Sequence, residues 1–170
     1  MDLPANAEYW IEKLKMTKHP EGGFFVETYK CNESIKEEHL PSRFKGDRSF
    51  ATGIYFLITH KDFSSLHKIA ADEIWHFYAG SPLTVFAFKG DDYLEITLGN
   101  NFENNEVFQA VIPHGYWFGS RLKTNTEGFA LVGCTVAPGF DFADFELGKK
   151  EKLIQEYPKH TKLIQSLTRQ

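Results

Sequence analysis

Two histidines and a glutamate lie within one short stretch, LHKIAADEIWHFYAG at residues 66–80. His67, Glu73 and His76 are side chains that bind transition metals or exchange protons near neutral pH. A metal centre needs three or more protein donors in fixed geometry. His67 and Glu73 supply two, and His76, His114 or water would complete the set. The second chemistry is acid–base. A carboxylate beside an imidazole orients the ring and raises its basicity, which makes His67 a candidate base and Glu73 its partner. The third option is structural, with both groups tying strands together as satisfied buried polar residues. Arg48, in GDRSFATGIY, adds a candidate anion anchor, because a guanidinium clamps a carboxylate or phosphate bidentately. Its competing role is a surface pair with Asp47 or Asp72.

Positioning these groups requires strands. From residue 50 to 137 the chain is a series of short runs rich in β-branched and aromatic residues, among them FATGIYFLIT, SSLHKIA, EIWHFYAG, LTVFAFKG and GFALVGCTVAP. Turn residues separate the runs at Lys61-Asp62, Gly80-Ser81-Pro82, Gly90-Asp91-Asp92 and Thr124-Asn125-Thr126. Such even spacing predicts an antiparallel sandwich or barrel. In a regular strand Glu73, Trp75 and Phe77 share one face and His76 takes the other. LTVFAFK is apolar on both faces, so it needs a barrel interior on one side and a second cover on the other: a sheet, a helix or a partner subunit. Before the strands, Ala7, Trp10, Ile11 and Leu14 have helical spacing and Pro4 suits a first turn, which predicts a helix over 4–16. HPEGG at 19–23 ends it, FFVETY at 24–29 starts the strands, and 31–47 is a polar loop. The Gly pair of HPEGG is not a phosphate loop, because it lacks the following lysine and the strand-then-helix setting. Helices are expected again within the C-terminal segment 138–168, around Tyr157-Pro158.

Composition narrows the function classes. The 170 residues suit one domain with a sizeable core. A net charge of -4 offers no basic excess for nucleic acid. No apolar run approaches membrane-spanning length. Cys31 and Cys134 read as two reduced thiols of a cytoplasmic protein, with Cys134 a small buried hydrophobe. Sixteen Phe, seven Tyr and three Trp are enough to fill a wide interior or line a cavity.

The histidine stretch resembles the first motif of the cupin superfamily, G-x5-H-x-H-x3-4-E-x6-G, with His67, Glu73 and Gly80 in register. VFQAVIPHGYWFGSRL (107–122) resembles the second motif, G-x5-P-x-G-x2-H-x3-N, through Pro113 and Gly115. The departures are Lys61 and Val107 for the leading glycines, Ile69 and Phe118 for two metal-binding histidines, and Leu122 for the asparagine. The blocks HPEGGFFVETY, DEIWHFYAGSPL, IPHGYWFGSRL and LVGCTVAPGFDFADFELG are similar to a small single-domain cupin family of largely unassigned function. The resemblance implies a mainly β fold, an antiparallel double-stranded β-helix or jelly-roll barrel with short N- and C-terminal α-helices, spanning 1–170 as one domain. It also implies a homodimer, with one edge or face of the barrel meeting its twin.

The expectation is a histidine-lined pocket on a degenerate metal site, with no cofactor. It would bind a small polar metabolite, sugar-like or carboxylated, as a metal-free isomerase or epimerase. His67 and Glu73 would act on the ligand. Arg48, Trp75, His76, Phe77, Phe86, Trp117 and Phe118 would surround it. The alternatives are a metal-dependent cupin oxidoreductase or hydrolase with a transition metal at His67 and Glu73, and a non-catalytic binding or storage protein. The segment 137–148 is read as a loop closing one end of the barrel, a lid, or a dimer contact.

Overall fold

Asn6 starts the first helix by accepting a hydrogen bond from the Tyr9 N–H on its Oδ1 (2.9 Å). The computed structural model describes residues 6–123 and 127–169; the turn expected at Thr124-Asn125-Thr126 and Pro4 of the first helix lie outside them. The helix α1 spans Ala7–Lys13. The strands are β1 (Thr17–Lys18), β2 (Phe24–Lys30), β3 (Ser34–Ile35), β4 (Arg48–Ser49), β5 (Thr52–Thr59), β6 (Ser64–Lys68), β7 (Asp72–Gly80), β8 (Leu83–Lys89), β9 (Asp92–Leu98), β10 (Gln109–Ile112), β11 (Trp117–Leu122), β12 (Phe129–Ala137) and β13 (Glu146–Leu147). Helices α2 (Lys150–Glu156) and α3 (Thr161–Ser166) follow. The stretch expected as a plain loop at 31–47 contains β3, which pairs with β4.

All strand pairs within the sheets are antiparallel. One sheet runs β1-β2-β5-β12-β7-β10 and the other β13-β6-β11-β8-β9. They face each other as the two walls of a jelly-roll barrel. Its interior is apolar, with Phe56, Ile58, Trp75, Leu83, Val85, Ala87, Phe118, Ala130 and Val132 all buried. Period-two alternation explains this membership. Leu83, Val85 and Ala87 of β8 face in, whereas Phe86 and Phe88 face out.

The second cover for β8 comes from the chain itself. Phe86, Phe88, Trp117 and Leu66 pack against Leu153 of α2 and Ile164 and Leu167 at the C-terminal end. The C-terminal helices therefore lie across a sheet face, and the doubly apolar strand needs no twin subunit to explain it. On the other sheet, α1 covers Leu57 and Leu131 with Trp10, Ile11 and Leu14. No helix among the described residues is long and apolar enough to cross a membrane.

Candidate functional site

The site is assembled by the loop 19–23 folding over β6. Gly22 and Gly23 have φ of 113° and 72°, backbone that L side chains rarely adopt. A Cβ on Gly22 would collide with the Phe63 carbonyl, and one on Gly23 would come within 2.7 Å of the Leu57 carbonyl. The glycines let the loop press onto β5 and β6. There the Ser65 N–H donates to the Glu21 carbonyl (2.8 Å) and the Gly23 N–H donates to Asp62 Oδ2 (2.9 Å). Glu21 is thereby turned inward and is 5% exposed. Its Oε1 accepts from Ser64 Oγ (2.8 Å), and its Oε2 lies 3.1 Å from His67 Nε2 and 3.5 Å from His19 Nδ1.

His67 projects from β6 into the barrel, and Glu73 projects from β7 on the facing sheet. The Ser65 carbonyl lies 2.8 Å from His67 Nδ1. A carbonyl only accepts, so its partner assigns the proton to Nδ1. Nε2 of neutral His67 is then a lone pair facing Glu21. Burial favours the neutral forms of both groups. It pushes the Glu21 carboxyl up to about 7, against the pull of His19 and the Ser64 hydrogen bond. Burial also lowers His67, countered by Glu73 and by the Ser65 carbonyl. Both groups are thus favoured neutral, with Glu21 Oε2 3.1 Å from His67 Nε2, close enough for a proton to pass between them.

Glu73 is likewise pushed up to about 7, first by burial; His67 opposes the shift and Glu21 adds to it. The Cys134 thiol donates to Glu73 and is itself pushed well above its ordinary value, by burial and then by Glu73, so it stays protonated. His19 is lowered by burial, against the attraction of Glu21.

These groups border a cavity of about 100 Å³ at one end of the barrel. Its apolar wall includes Phe25, Ile54, Phe56, Ile69, Phe140 and Phe142, and its polar wall is His19, Glu21, Glu27, Thr52, His67, Glu73 and Cys134. No lysine or arginine is among them.

Of the residues expected around a ligand, only His67 and Glu73 border this cavity. Glu21 Oε2 comes within 3.1 Å of His67 Nε2, and Glu73, the expected partner, acts on His67 as a nearby charge. Arg48 is not an anion anchor, because Asp144 already occupies its guanidinium (Nε to Oδ2 2.6 Å, Nη2 to Oδ1 2.6 Å). Trp75, Phe77 and Phe118 do face inward but pack in the core, Phe118 against His67 with ring centroids 4.1 Å apart. Phe86 and Trp117 face the C-terminal helices instead. His76 is on the outer face of its sheet, as alternation requires, bonded to Thr135 Oγ1 (3.1 Å) and Gln109 Nε2 (3.0 Å). His114 is held at the surface by Asp72 (2.8 Å). Sequence reasoning missed Glu21 and His19. Their trace was a histidine and a glutamate set in HPEGG directly before an apolar strand.

The metal ion usual in the cupin fold does not fit these donors. Ile69 and Phe118 stand where two ligands would be, and both ring nitrogens of His67 have partners. Among the described residues no three His, Cys, Asp or Glu side chains are arranged to hold a metal.

Replacing Glu73 with Gln should raise stability more at about pH 8 than at about pH 4.5. A carboxyl with a raised folded-state pKa keeps its proton while the unfolded chain has lost it. Stability therefore falls as pH rises from 4.5 to about 7, and the penalty is complete above that. Gln carries no such penalty. Thermal melting of both proteins at the two pH values checks this; an equal shift at both would contradict it. His19 and His67, both lowered, act oppositely: their stabilisation is lost as pH falls below 6.5.

Comparison with known proteins places this geometry among relatives. Residues 8–148 match the family described as Cupin superfamily (DUF985). An uncharacterized protein of Saccharomyces cerevisiae is 30% identical over 157 residues, covering 87% of this chain and 78% of its own length. A crystal structure of a protein from Shewanella oneidensis superposes with a TM-score of 0.86 at 36% identity, over 98% of this chain and 99% of that one. A hypothetical protein from Leishmania major gives 0.86 at 32% identity, over 97% and 99%.

Proposed function

The chain belongs to the DUF985 family of the cupin superfamily, and we propose that its cavity binds a small neutral α-hydroxy-carbonyl compound, sugar-like in character, and isomerises it by metal-free proton transfer. The observation that supports this most is the pair of buried carboxyls, Glu21 and Glu73, which line one cavity and are both raised by burial to about 7. Groups that hold and release protons near neutral pH suit general acid–base work, and such perturbed values cluster at functional sites.

The chemistry balances without an oxidant. Glu73 carboxylate takes the carbon-bound proton next to the carbonyl. The Glu21–His67 pair gives its proton to the carbonyl oxygen, and an enediol forms. The pair then takes the proton of the neighbouring hydroxyl, and Glu73 returns its own to the former carbonyl carbon. Both sets of groups finish as they began. The wall favours a neutral ligand over a carboxylate, because it has three carboxyl side chains and no cation to pair with an anion. Its size suits a few carbons with their oxygens, not a nucleotide-linked sugar.

The test is deuterium wash-in from heavy water into a panel of small hydroxy-aldehydes and hydroxy-ketones, followed by proton NMR. Wild-type protein should label the carbon next to the carbonyl in at least one compound, with or without a chelator. Labelling that a chelator abolishes would favour a metal-dependent cupin. Retention of a compound with no exchange would favour a passive binding protein.

A further inference from the structure

The segment 138–148 crosses the cavity as a strap. At its start the Gly139 N–H donates to the Ser49 carbonyl (2.8 Å) and the Phe140 N–H donates to Thr52 Oγ1 (2.9 Å). At its end β13 pairs with β6, and the Gly148 N–H donates to the Leu66 carbonyl (2.7 Å). Between these anchors sit three phenylalanines. Phe140 and Phe142 wall the cavity. Phe142 stacks over His19 (6.1 Å, 25°), and Phe145 stacks over His67 (5.4 Å, 29°). Phe142 is also 53% exposed, so one ring borders both solvent and the cavity. That position is the mouth.

Apolar stacking alone is a weak fastening for such a strap, because rings slide and rotate at low cost. The directional fastening is Asp144. Both of its carboxylate oxygens receive N–H groups of Arg48, and the rest of the guanidinium donates to the carbonyls of Asp47 (2.7 Å) and Lys45 (3.0 Å). The two side chains are 4% and 5% exposed. A bidentate pair this dry is short and geometrically exacting, and removing either partner leaves an uncompensated buried charge.

We infer that the Arg48–Asp144 pair is a latch that holds the aromatic strap across the cavity mouth and so governs access to the Glu21–His67–Glu73 cluster. Arg48 is thus a positioning residue that acts on the site through Phe140, Phe142 and Phe145 without touching a ligand. The inference deepens the proposed function by naming how its cavity is gated, yet its test needs no substrate, so either idea can fail alone.

Cys134 lies on the cavity wall beneath the strap and is buried, which makes it a reporter of opening. In a Cys31→Ser background, methyl methanethiosulfonate would be added at one fixed pH. The Cys134 thiolate attacks the reagent sulfur, a mixed disulfide forms, and methanesulfinate leaves. Asp144→Asn and Arg48→Lys should each speed this labelling by roughly tenfold or more, through a local opening with little dependence on urea below the unfolding transition. Phe142→Ala, which widens the mouth with the latch intact, should also speed it. Unchanged labelling in both latch variants would overturn the inference. So would faster labelling whose urea dependence matches global unfolding, since that would make the pair a structural fastening only.

Discussion

Replacing Glu21 with Gln should cut deuterium wash-in by roughly 10²–10⁴-fold, the usual worth of a positioned proton donor, while the protein stays folded. Gln is close in shape and still offers an oxygen to the Ser64 hydroxyl, whose bond to Glu21 is 2.8 Å. Its amide can donate toward His67 Nε2, but it cannot release that proton to a substrate. His67→Ala should lose as much, with a larger structural cost, because it opens a gap between Phe118 and Phe145. The two losses should not add in the double variant, since the groups act as one unit in the proposed proton transfer. The loss should appear in turnover more than in substrate affinity. Wash-in rates for the two single variants and the double variant check this. Independent, additive losses would mean that Glu21 and His67 do not work as a unit.

Trp75→Ala should cost about 3–5 kcal/mol of folding stability, within the range for truncating a large buried aromatic. Trp75 is 1% exposed at the centre of the barrel core. Its ring meets Phe56 edge-on at 5.8 Å and Phe118 at 6.5 Å. Trp75 does not line the cavity itself but supports Phe56, which does, so the truncation removes one direct prop of the cavity wall. Trp75→Phe keeps most of the volume and should cost clearly less. Urea unfolding of the three proteins gives the comparison. A small loss for Trp75→Ala would show that the side chain does not hold the two sheets together.

Much of the fold was legible because period-two alternation reports which residues share a face. It separated Glu73, Trp75 and Phe77 from His76, and the structure keeps that separation. It also divided Leu83, Val85 and Ala87 from Phe86 and Phe88. Alternation does not say which face turns inward, and so Phe86 and Trp117 were assigned to the barrel when the C-terminal helices claim them. The site was less legible because long-range partners make it. Glu21 meets His67 only when the loop folds over β6, and Arg48 meets Asp144 across 96 positions of sequence. No local periodicity encodes such a meeting. The nearest hint was in HPEGG, where two glycines permit a tight fold and a lone glutamate directly precedes them.

Carbon-13 NMR of the glutamate side-chain carboxyls, followed through a pH titration, tests the poised cavity most directly. Signals would be assigned by their absence in Glu21→Gln and Glu73→Gln. The expected result is two carboxyls with midpoints near 7. Both titrating at the ordinary glutamate value of 4.5 would contradict the picture of a neutral-pH acid–base pocket and leave the cluster a structural one.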